Sequence, residues 1–190
     1  MKIRFALFLM LLAATPVNAR SLSSQVSEVD TIPRLRPQYP VPTEPGQLFY
    51  IERSSNSNTV VYALDRDDKG VVNTRAPVTA FWRWYNVDGV KKGLNFAERM
   101  MAYGVSNDGI RPGKPITFRV AALPERTMTL DLADPAHPHA LIQMEGRSVI
   151  LDYVYLEVVD GGLLPKVPSV DIFGTDQKTG KAVHEHIIQN

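Results

Sequence analysis

Cysteine is missing from all 190 residues, and that absence removes several chemistries at once. No disulfide can staple the fold, no thiolate can attack a substrate or hold zinc, and no lipobox cysteine can carry a lipid anchor. Long apolar runs are scarce too. Phe5 to Ala14 is unbroken, but its roughly ten residues are too few to cross the ~30 Å core of a bilayer. No later stretch is apolar enough for a transmembrane segment. Blocks of five or more like charges are absent. The densest cluster, Asp65-Arg66-Asp67-Asp68-Lys69, mixes both signs and reads as a solvated turn.

Familiar catalytic spacings are absent as well. Gly174 to Lys181 looks like a phosphate-binding loop, yet five residues separate its glycines where four are needed, and Ala182 stands where a magnesium-binding Ser or Thr would be. An ordinary hairpin turn is the expected reading. His184-Glu185-His186 starts like a zinc-protease helix, but Ile188 replaces the second zinc histidine. There is no Gly-x-Ser-x-Gly elbow.

What the chain does have begins at its start. Lys2 and Arg4 precede the apolar run, Pro16 ends it, and Val17-Asn18-Ala19 offers small residues before Arg20. That order predicts a signal peptide over 1–19 and cleavage near Ala19-Arg20. Export to a Gram-negative periplasm is the expectation, with full secretion as the alternative. The whole chain carries 21 Lys+Arg and 20 Asp+Glu; losing Lys2 and Arg4 leaves 19 against 20, a net of −1. Such a chain has no general electrostatic pull toward nucleic acid or anionic lipid. About 170 remaining residues suffice for one core without staples.

Prolines 33, 37, 40, 42 and 45 set residues 20–46 apart as a Pro-rich arm. It is read either as an extended tether or as a strap lying on the body through Ile32, Leu35 and Tyr39. From 47 to 190 a single mainly β domain is expected. Runs rich in β-branched and aromatic residues recur at 48–51, 59–64, 77–85, 115–122, 127–132, 140–145, 148–159, 169–173 and 182–188. Short connections favour antiparallel neighbours, including a hairpin through Gly146-Arg147. The expected architecture is an antiparallel β-sandwich or open barrel. One short helix, about Phe96–Tyr103, is capped by Asn95 with Glu98, ended by a left-handed Gly104, and placed as a lid over one end.

Several residues carry candidate chemistry. Alternation along Ala80–Tyr85 puts Phe81, Arg83 and Tyr85 on one face and both tryptophans on the other. Arg53, Asn56 and Asn58 lie in a strand turn, and Arg99 and Tyr103 on the helix. Together with Arg83 and Tyr85 they form the expected ligand-binding set, since apolar walls with few polar groups make a pocket. The histidines form two pairs, His137/His139 and His184/His186. Two residues apart on a strand share a face, so the pairs are the alternative metal set, for copper, nickel or zinc. Asp152 interrupts an apolar strand and calls for a cation, Arg119 or Arg83, or else a role as an acid.

The run Leu48-Phe49-Tyr50-Ile51-Glu52-Arg53-Ser54-Ser55-Asn56-Ser57-Asn58-Thr59-Val60-Val61-Tyr62 is similar to the opening of a bacterial family known only as a domain of unknown function. Trp82-Arg83-Trp84-Tyr85, Ala102-Tyr103-Gly104 and Gly180-Lys181 follow in that family's order. The resemblance covers nearly all of the body and none of the arm. It implies an exported single domain and lends no activity. The residues thus point to a non-catalytic module for a small ligand, glycan, lipid or envelope protein, with no cofactor. The alternative is an envelope hydrolase or metal-dependent enzyme using the histidine pairs or Asp152.

Overall fold

The computed structural model describes residues 23–159 and 165–189; the leader read over 1–19 lies outside them. Twelve strands are described: β1 (Ser23–Val29), β2 (Gln47–Arg53), β3 (Asn56–Leu64), β4 (Val78–Trp84), β5 (Val90–Gly93), β6 (Val105–Asn107), β7 (Ile116–Val120), β8 (Met128–Asp131), β9 (His139–Met144), β10 (Arg147–Val159), β11 (Lys166–Asp176) and β12 (Ala182–Ile188). Nine follow one path, β5-β4-β3-β2-β10-β9-β8-β7-β6, and a branch runs from β10 through β11 and β12 to β1. The path forms a curled open sheet, a half-barrel. Of the two expected architectures, this is the open one.

β10 is the organising strand. Its residues 147–150 pair antiparallel with β9, and its residues 153–156 pair parallel with β2. Its pairing with β11 runs the length of both segments and slips at Leu151/Tyr153, a bulge that leaves Asp152 between the two arms. The parallel β2–β10 pair departs from the expected antiparallel pattern. Nearly a hundred residues separate these strands, so the chain has ample length for the crossover a parallel pair needs. The two arms curl toward each other. Their inward side chains, among them Phe49, Tyr62, Phe118, Met128, Ile142 and Leu151, make one buried core. At the rim, the Asn107 side chain donates to the Val78 carbonyl and accepts from the Val78 amide, both at 3.0 Å. This amide stands in for a strand partner and links β6 to β4.

The β9–β10 turn is Glu145-Gly146, one residue earlier than expected. Both residues have positive φ, 47° and 78°, the geometry that matches the strand twist in a two-residue hairpin. The helix begins as expected: Asn95 Oδ1 accepts from the Glu98 amide at 2.9 Å, and Glu98 Oε2 accepts from the Asn95 amide at 2.7 Å. Only Phe96–Glu98 is α-helical, however, and Arg99–Tyr103 widens into a π turn. Gly104 is not left-handed; its φ of −64° and ψ of 156° are open to any residue. Glycine is needed there because a Cβ would stand 1.9 Å from the Arg99 carbonyl oxygen. Nor is the segment a sealed lid. Phe96, Met100 and Met101 are 80%, 66% and 67% exposed, while Tyr103 is buried.

The described part of the arm lies on the body. β1 pairs with β12 along its whole length, and the proline segment crosses the outer face of β2 and β10. Ile32 packs on an outer cluster of Tyr50, Phe81, Tyr153 and Phe173. The Tyr153 hydroxyl donates to the Pro33 carbonyl, Arg36 donates to the Tyr155 hydroxyl at 3.0 Å, and the Tyr39 hydroxyl donates to the Ser54 carbonyl. Burial is what raises the Tyr153 hydroxyl to about 12. Leu35 stays exposed.

Candidate functional site

Strand alternation sorts the candidate residues before any contact is considered. On β4, Val78, Ala80, Trp82 and Trp84 face the core while Phe81 packs outside, so Arg83 is also outward. Its guanidinium is held by the arm and a turn: Nε binds Glu44, and Nη1 donates to the Gly89 carbonyl at 2.9 Å. Tyr85 follows in the 3-10 turn Tyr85–Val87. Asn58 accepts from the Asn86 amide at 3.2 Å. Arg99 donates from Nε to the Leu94 carbonyl at 3.0 Å, fastening the π turn.

Arg53 lies on the opposite side of the sheet from Arg83. It closes the β2–β3 turn opposite Asn56 and donates to Asn56 Oδ1 at 2.9 Å. Its guanidinium carbon sits 4.6 Å from the Trp82 ring centroid and 5.9 Å from that of Tyr103. Trp82 and Tyr103 meet edge to face at 5.1 Å. The Tyr103 carbonyl accepts from the Tyr62 hydroxyl at 3.0 Å, deep enough that burial holds this hydroxyl far above its ordinary range. The two touching rings thus back the guanidinium from one side, with Trp82 the nearer. The sequence brings Arg53, Asn56 and Tyr103 together and sends Arg83 elsewhere.

Arg53 and Tyr103 open onto a groove of about 470 Å³ at the end of the half-barrel. Met101, Ala102, Pro124, Leu156, Val158 and Val167 form its apolar wall, and Arg53 is the one charged side chain among the described residues lining it. The Arg53 Nε and the Trp82 indole nitrogen are buried without a hydrogen-bond partner among the described residues. Buried donors left unpaired are costly.

Two further groups hold titratable residues. Asp152 sits at the fork of β10, in a cleft that also includes His139, Tyr50 and Arg34. Its partner is the Thr175 hydroxyl at 3.2 Å, not Arg119, which donates to Thr127, nor Arg83. Burial raises its carboxyl above the ordinary range. On the outer face, the alternation of β12 buries Glu185 and turns His184 and His186 outward. Glu185 binds Arg126 and the Ser24 hydroxyl. Asp171 Oδ1 lies 2.8 Å from His184 Nε2 and 2.7 Å from His186 Nδ1. Burial pushes the Asp171 carboxyl up, but the two imidazoles outweigh it and hold the group below its usual range. His137 is not part of this group; it meets Asp134 on an exposed loop at 2.8 Å. His139 belongs to the fork.

Residues 49–186 match the family model described as a domain of unknown function, DUF4833. The chain belongs to this family. No curated protein and no solved structure matches it. The DUF4833 span contains every residue of the Arg53 platform, the fork carboxylate and Asp171 with its two histidines, whereas β1 and the strap precede it. No described helix is long and apolar enough to cross a membrane. Asp171 was missed by sequence reasoning, although the signal that singles out Asp152, an acid inside an apolar strand, is also present in Val170-Asp171-Ile172.

Proposed function

We propose that this DUF4833 chain is an exported, non-catalytic binding module for an amphipathic anion. The apolar part of the ligand lies in the groove, and its carboxylate or similar head group meets Arg53. The observation that carries this reading is a single cation, backed by Trp82 and Tyr103, on a groove wall that is otherwise uncharged among the described residues. A planar guanidinium in a low-dielectric setting favours a planar oxyanion. The open apolar volume accepts a chain, and its described lining presents no paired carboxylates or imidazoles for chemistry. Export rests on the leader, and is checked by N-terminal sequencing of protein recovered from the periplasm. Mature protein should begin near Arg20; intact Met1 on protein from the cytosol would overturn export.

Dodecanoate is a suitable probe, followed by tryptophan fluorescence because Trp82 touches the binding guanidinium. Saturable binding is expected, with dodecanol at least tenfold weaker. Charged hydrogen bonds contribute about 1.5–3 kcal/mol, or roughly ten- to hundredfold in affinity. Arg53→Gln should erase the preference for the acid while leaving weak binding of both compounds. Ala122→Trp, which fills the groove, should abolish both. Equal affinity for acid and alcohol, or no saturation with dodecanoate, would refute the reading.

A further inference from the structure

We propose that Asp171, His184 and His186 form a three-ligand site for a divalent transition metal, with zinc the best match. This site is independent of the groove. It is built on a regular antiparallel pair in which Asp171 stands directly across from His186 and Phe173 across from His184. Period-two alternation then puts all three side chains on one outer face. The His184 ring is stacked on Phe173 at 4.4 Å and nearly parallel to it, which fixes its direction without using either ring nitrogen.

One carboxylate oxygen, His184 Nε2 and His186 Nδ1 all lie within 4.8 Å of one another. Zinc takes such ligands at about 2.0–2.2 Å. Tetrahedral ligand atoms then stand about 3.4 Å apart, so each imidazole retreats from Asp171 by roughly half an ångström while the two nitrogens settle at the same separation from within 4.8 Å. Among the described residues, Asp171 pairs with no Lys or Arg, only with the two histidines. Asp171 is 8% exposed, and a buried carboxylate without a fixed cation is improved by a bound one. Gln25 and Ser27 of β1 flank the histidines in register. They line a shallow depression with Glu145 and both imidazoles. The depression leaves space for a fourth ligand, water in the simplest case, as in open three-ligand sites.

The test uses full-length mature protein stripped with chelator and titrated with zinc chloride, read by calorimetry and native mass spectrometry. One equivalent is expected, together with a higher melting temperature. Asp171→Asn, His184→Gln and His186→Gln should each weaken zinc at least tenfold. His137→Gln with His139→Gln should leave the affinity unchanged. Nitrogen-15 imidazole spectra of the wild-type protein provide a readout that requires no variant to fold. Zinc should shift His184 and His186 and leave His137 in place. No stoichiometric zinc binding, unchanged affinity in all three ligand variants, or shifts confined to His137 and His139 would overturn the site.

Discussion

Arg34→Ala should cost about 3–5 kcal/mol of stability, the penalty for leaving a buried carboxylate without its partner. Glu52 is 0% exposed on the outer face of β2, and Arg34 Nη2 reaches its Oε1 at 2.5 Å. The other carboxylate oxygen already lacks a partner among the described residues, so none of them already bonded to Glu52 takes over from the guanidinium. For a chain of this size the loss corresponds to a fall of about 6–20 °C in melting temperature. The effect depends on pH with a definite sign. Burial holds the Glu52 carboxyl above its ordinary value despite Arg34. The native state therefore binds more protons than the unfolded chain, and stability falls as pH rises through the window between the two values. Without Arg34 this window extends upward. The deficit of the variant should be largest near pH 7 and shrink toward pH 4. Melting curves of both proteins across that range check it; a deficit that grew in acid would contradict the assignment. Arg34→Met combined with Glu52→Gln should regain much of the loss.

Gly104→Ala should be nearly as damaging, for a steric reason. The added Cβ would lie 1.9 Å from the Arg99 carbonyl oxygen and 2.7 Å from its carbon. These are backbone atoms, so no rotamer change relieves the clash. Overpacking of this kind costs about 3 kcal/mol or more when the neighbour cannot move. The π turn would have to unwind, and Tyr103 is its last residue. The ring that supports Arg53 would shift with it, so dodecanoate affinity should fall together with the melting temperature. Gly93→Ala is the control: no atom lies within 4 Å of its Cβ and its φ is not positive. A Gly104→Ala protein that melts like the Gly93→Ala protein would refute the close-approach account.

Much of the fold was legible because burial writes itself into side chains. Every dense β-branched or aromatic run, from Leu48 to Ile188, became a strand. The strands that escaped notice, β1, β5 and β6, are short or mostly exposed. Ser-Ser-Gln-Val-Ser-Glu-Val joins the sheet through its backbone, which composition does not report. The candidate site was legible in part for the same reason. Alternation separated Trp82 and Arg83 onto opposite faces, without saying which is the core, and it placed His184 beside His186. It could not show that Arg83 is taken by Glu44, that Asp171 stands across from His186, or that Asp152 falls on a bulge. Those facts depend on register between segments distant in sequence. Gly104 shows a further limit: the residue was marked as special, but its task is set by a carbonyl five residues back, not by its own dihedral angles.

Because β10 feeds both arms from the same edge, the stretch from Ile150 to Tyr153 works as a spacer that sets how the two halves of the molecule are phased. A substitution there leaves that phase unchanged. Gaining or losing one residue would turn every side chain beyond it to the opposite face, exchanging Tyr153 and Tyr155 with Val154 and Leu156 between skin and interior. The length of that stretch is therefore constrained more tightly than its spelling.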